Sequence, residues 1–155
     1  MDTGWSKAYL NGVLLRWKWV DIYTIRLSQL RDQIITYGSG GLGERVQTSP
    51  TGDALEKRVL KFIESADRIQ IALYDKLEEA NAMQDEASER IMQLKPGRCQ
   101  TLLIDHYIRR IEFGELSDLY GYEDGNTIYK VHQRALEYFE EIATSAGWKK
   151  SKLSI

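Results

Sequence analysis

The sequence predicts an all-α protein, a long antiparallel helical hairpin followed by a C-terminal helix-turn-helix unit. Three observations carry this expectation. Apolar residues return at steps of three and four through two long stretches, which is the period of one helix face. No segment alternates apolar and polar residues cleanly enough for a strand. The chain has only two prolines, Pro50 and Pro96, and both stand at breaks in the apolar pattern.

The first helix is expected over about 5–37. Leu10, Val13, Trp17 and Val20 form one stripe, and after a shortened step Tyr23, Leu27, Leu30 and Ile34 continue it. Trp17 and Trp19 are two residues apart, so they cannot both face the same partner helix, and one of them is expected at a surface or a protein contact. The stretch 38–52 holds five glycines and Pro50 without apolar periodicity and reads as a loop. Gly38, Gly40 and Gly43 spell G-x-G-x-x-G, but a dinucleotide site needs that string between a strand and a helix. Here a helix precedes it, so a hairpin loop is the reading.

The second helix is expected over 53–94. Asp53 with Glu56 three residues on resembles a capping box. Leu55, Val59, Phe62, Ala66, Ile69, Leu73, Leu77, Ala80, Met83, Ala87, Ile91 and Leu94 follow as a near-heptad seam. A stripe of about 60 Å, at 1.5 Å per residue, needs a partner of similar length. The first helix is the nearest one, with leftover seam for a third helix or a second chain, so a homodimer through the long helices is expected. Pro96-Gly97 ends this hairpin, and two regions follow from it, 1–95 and 96–155.

The second region reads as shorter helices over about 99–110, 113–119 and 126–143, with a turn at Gly121. Leu102, Leu103, His106 and Tyr107 share a face of the first. Ile128, Val131, Ala135, Leu136 and Phe139 form the inner face of the last. Helix, short helix, tight turn, amphipathic helix is the order of a helix-turn-helix, whose second helix enters the major groove. Leu116, Tyr120, Ile128 and Val131 suit its inner positions. Asn126, Thr127, Tyr129, Lys130, Gln133 and Arg134 are the candidate DNA-binding residues, since amides pair with adenine and cations with guanine or phosphate. Lys149, Lys150 and Lys152 could add phosphate contacts.

The residues Tyr107-Ile108, Phe113, Leu116-Ser117, Gly121-Tyr122, Ile128-Tyr129-Lys130-Val131-His132 and Arg134-Ala135-Leu136 resemble the region-4 fold of sigma factors. More closely they resemble phage transcriptional regulators of the ArpU/RinA type, whose layout of a long helical N-terminal part, a linker and a sigma-like end also matches. The resemblance implies a phage or prophage protein that binds double-stranded DNA and switches on late or lysis genes, and RNA polymerase or another host protein is the further partner expected. Two features depart from that pattern. Glu123, Asp124 and Gly125 stand where the family places a serine and a basic residue, and Lys and Arg are fewer. Asp124 could instead cap the last helix.

Charge favours no bulk attraction to nucleic acid. The net charge is −2, and from Lys95 onward nine Lys or Arg face nine Asp or Glu. A helical interaction module without DNA binding, an inhibitor or adaptor of host machinery, is therefore the rival expectation. A DNA-packaging subunit is a third. Catalysis is not expected, because carboxylate pairs such as Glu78-Glu79 and Glu140-Glu141 diverge on helix faces read as exposed. No cofactor is expected, and no metal, since Cys99, His106 and His132 do not make a closed site. The one cysteine, with neither a signal-peptide pattern nor a long apolar run, points to a cytoplasmic protein with no membrane partner.

Overall fold

The protein is all-helical. A computed structural model describes residues 1–43 and 50–150, with side chains over 1–37 and 52–149. Helix α1 spans Gly4–Gly43 and α2 spans Pro50–Ile91. Then come α3 (Arg98–Leu103), a π-helical turn (Ile104–Ile108) continuing it, α4 (Phe113–Leu119), α5 (Thr127–Ala146) and a 3-10 turn (Trp148–Lys150).

Helix α1 outruns its sequence-based end, and α2 both starts and ends three residues earlier than its sequence-based bounds of 53 and 94. The glycines at 38, 40 and 43 lie within α1, and α2 starts at Pro50, where the fixed φ and missing N–H of proline cost nothing. The expected loop over 38–52 is thereby corrected at both ends, and its middle, 44–49, lies outside the described residues. Asp53 is not a cap. It sits inside the first turn, where a carboxylate favours the positive end of the helix dipole. At its other end α2 stops at Ile91. The Gln100 side-chain amide donates to the carbonyls of Met92 (3.3 Å) and Leu94 (2.9 Å), which satisfies acceptors that a helix end leaves open.

The chain divides into two compact units, and the division lies inside both long helices instead of at Pro96. The first unit joins Met1–Arg16 to Glu79 and everything after it. In it the two helix segments run antiparallel. Tyr9 Oη donates to Glu86 Oε1 at 2.7 Å, Gly12 lies over Met83, and Arg16 Nε meets Glu79 Oε1 at 3.5 Å. Those three pairs hold one register. Its core includes Tyr9, Leu10, Val13, Ala80, Met83, Ala87, Ile91 and Leu94 together with residues of α3, α4 and α5. Trp5, Tyr9 and Phe139 stack, with centroids of 4.9 Å for Trp5–Tyr9 and 5.9 Å for Tyr9–Phe139, and Trp148 packs tilted against Phe139 at 5.5 Å. The Arg90 guanidinium covers Tyr9 and Trp148.

The second unit, Trp17–Glu78, contains α1 and α2 alone. Val20, Leu27 and Leu30 of α1 are buried. Leu55, Val59, Phe62, Ala66, Ile69, Leu73 and Leu77 of α2 are only half-buried. Two helices touch along one line each, so neither can surround the other's side chains. Of the two indoles, Trp19 is the exposed one.

Candidate nucleic-acid interface

Helix α5 is held from below. Leu102 of α3, Leu116 of α4 and Ile128 and Val131 of α5 make one buried cluster, with Cys99, Ile111, Phe113, Tyr120 and Tyr122 around it. Tyr120, read as an inner position, lies half-buried at its edge. Buried residues recur along α5 as Ile128, Val131, Ala135, Leu136 and Phe139, so its other face must point outward.

That outer face carries Asn126, Tyr129, Lys130, Gln133 and Arg134, all exposed. At 100° per residue they fall within one side of the helix opposite the core. Thr127 does not join them, being half-buried on the flank. Tyr129 leans on Phe113, centroids 5.4 Å apart. Arg134 also borders an open cleft of about 520 Å³ shared with Lys95, Arg98, Tyr138 and Glu141, which sets three cations and one carboxylate at one end of the face. The polar face is short. Glu137 and Glu141 follow on the same side, so only the first two turns of α5 present amides and cations.

The turn into α5 is built by specific residues. Helix α4 ends in a Schellman motif: Gly121 has φ 74°, its N–H donates to the Asp118 carbonyl, and the Tyr122 N–H donates to that of Ser117 at 2.9 Å. Glu123 and Asp124 are exposed. The Asp124 side chain accepts the N–H of Asn126 at 2.9 Å, and its carbonyl that of Thr127 at 3.1 Å, so Asp124 closes the turn ahead of α5 and is not its cap, a position held by Asn126. Asp118 and Glu123 line the cleft between α4 and α5, which leaves acid beside that outer face. The expected basic tail is reduced. Lys149 pairs with Glu140 at 2.9 Å, while the Lys150 side chain and Lys152 lie outside the described residues.

Sequence reasoning missed the polar residues that hold this arrangement. Asp105 is buried in the π-helical turn, where it accepts from Tyr120 Oη at 2.5 Å and pairs with Arg109 at 2.9 Å. Burial and that carboxylate push the Tyr120 phenol up. Glu140 is buried too, correcting the exposed reading, and it accepts from Ser6 Oγ at 2.5 Å. The signal available for Asp105 was its place between Leu102 and Tyr107, with Arg109 four residues on. For Glu140 one partner, Lys149, is nine residues on, but the other, Ser6, is 134 residues away.

His106 and His132 complete the packing. His106 stacks on Phe113 at 3.8 Å and donates through Nδ1 to the Ile111 carbonyl at 2.8 Å. Tyr107 Oη donates to His132 Nε2 at 2.7 Å, taking the tautomer with the proton on Nδ1. Burial lowers both imidazoles, and His132 falls to about 4, with His106 and Lys7 adding repulsion. A histidine lowered on folding leaves the unfolded chain binding more protons between pH 6.5 and 4. Stability is then full above pH 6.5 and falls as the pH drops through that window. Urea unfolding at pH 7 and pH 5 should show a loss of roughly 1 kcal/mol at the lower pH, discounted for solvent screening. His132→Gln should flatten the slope, and an unchanged slope would rule His132 out as its source.

Among the described residues no group of three His, Cys, Asp or Glu is placed to hold a metal ion, and no helix is long and apolar enough to cross a membrane. No family model, no curated protein and no solved structure matches the chain.

Proposed function

We propose that this protein is a cytoplasmic transcriptional regulator of the phage type its C-terminal residues resemble, reading double-stranded DNA with the first two turns of α5. The observation that carries the reading is the face of Asn126, Tyr129, Lys130, Gln133 and Arg134. Five side chains able to bond base edges or phosphates stand exposed on a helix whose opposite side is fixed to α3 and α4. The cleft bordered by Lys95, Arg98 and Arg134 offers a place for a phosphate beside it.

A gel-shift assay of the full chain on duplex DNA from upstream of its own operon tests this. Binding should saturate at low salt, exceed that to a scrambled duplex, and weaken steeply as salt rises. No shift above the scrambled duplex at low salt would remove the reading.

One observation favours a second reading. Glu115, Asp118, Glu123 and Asp124 are exposed on α4 and its turn, and acid on that side suits a basic protein surface better than phosphate. Under this reading the full chain shifts no DNA but captures a host protein, and charge reversal at Asp118 and Glu123 abolishes the capture.

A further inference from the structure

The second unit leaves a line of apolar residues on α2 uncovered. Leu60 is 56% exposed, Ile63 39%, Ile71 65% and Tyr74 60%. None belongs to the seam that faces α1. Steps of three, eight and three keep the four within about 80° of one another, beside that seam. Of the four, Tyr74 also borders an open groove in which Gln70 and Leu73 of α2 face Leu27 and Arg31 of α1. A hairpin whose α2 seam is itself only half-buried therefore carries a second apolar stripe, the pattern of a helix made to pack on two sides.

We infer that this stripe pairs with the same stripe of a second copy, α2 against α2, antiparallel about an axis at Asp67. The spacing is symmetric about that residue. Leu60 and Tyr74 lie seven residues to either side and Ile63 and Ile71 four, so the antiparallel arrangement sets Leu60 on Tyr74 and Ile63 on Ile71 of the other chain. The flank agrees in charge in part. Lys57 comes near Asp75 of the second copy and Glu64 near Arg68, while Glu56 falls opposite Glu78. A parallel pair would set each of these residues against its own kind along the stripe. The contact is isologous, so it closes as a dimer. Asp67 faces its own copy at the axis, a like-charge repulsion that weakens the pair.

Sedimentation of the full chain, 17.9 kDa as a monomer, gives the first test. The wild type should sediment as a dimer at tens of micromolar, and Ile71→Lys as a monomer with unchanged helix content. Asp67→Leu should tighten the dimer at least tenfold, and Ile22→Ser, on an exposed part of α1 outside the stripe, should leave it intact. Disulfide trapping in a Cys99→Ser background reads the direction. Leu60→Cys with Tyr74→Cys should cross-link, whereas Leu60→Cys alone should not, because two copies of residue 60 would lie about 21 Å apart along antiparallel helices. A monomeric wild type, a dimer that survives Ile71→Lys, or one broken by Ile22→Ser overturns the proposal, as does efficient cross-linking of Leu60→Cys alone.

Discussion

Phe139→Ala should cost 3–5 kcal/mol and lower the melting midpoint of the first unit by about 12 °C or more. The ring is completely buried and touches three others: Trp5 and Tyr9 from the start of α1, and Trp148 beyond the end of α5. Removing it leaves a void lined by rigid aromatics, which cannot collapse inward as aliphatic chains do. The same void loosens the cover over Arg90, whose guanidinium lies on Tyr9 and Trp148 while pairing with Glu86 at 3.1 Å. Denaturant unfolding followed by circular dichroism measures the cost, and near-ultraviolet dichroism should lose intensity as the aromatic stack disorders. A loss below 1 kcal/mol would mean that the stack does not hold α5 to the long helices.

This prediction marks a limit of what the chain's pattern conveys. The inner faces of α2 and α5 were legible, because a period of three and four survives whatever a helix packs against. Ile128, Val131, Ala135, Leu136 and Phe139 are buried as the spacing implies. Tyr9 was not legible as core, nor Trp5 as its half-buried neighbour, since the stripe read from periodicity began at Leu10. Both rings stack on Phe139, which lies 130 or more residues away. The half-burial of the α2 seam from Leu55 to Leu77 was equally hidden. Periodicity shows which side of a helix is apolar, and not how many neighbours will cover it.

The candidate face was legible for a related reason. Once Ile128 and Val131 are fixed inward, geometry puts Asn126, Lys130 and Gln133 outward, and only Thr127, at the edge of the arc, departs. The supports of that face were harder to read. A buried Asp105 looks like any helix acid until Tyr120 is folded back onto it, and the π-helical turn that carries it has no sequence signature of its own. Helix ends were the least legible. Gln100 closes α2 from six to eight residues downstream, a bond that no local propensity encodes.

Changing Lys130 and Arg134 together to alanine should lower DNA affinity by about 100-fold while leaving stability within roughly 0.5 kcal/mol. The two residues are one turn apart on the exposed face and make no ion pair in the described structure. Their removal therefore orphans no buried group, and any loss of binding reports contact with DNA. A base contact is worth about 1–3 kcal/mol, so a factor of ten for each lies at the low end of that range. The single variants separate the two kinds of contact. If Lys130 reads a base, Lys130→Ala narrows the gap between the true and scrambled duplexes. If Arg134 meets a phosphate from the cleft it shares with Lys95 and Arg98, Arg134→Ala weakens both duplexes equally and lowers the salt slope by about one. Affinity of the double variant equal to that of the wild type would take DNA away from this face. The acidic side formed by Asp118 and Glu123 would then be the place to look for a partner.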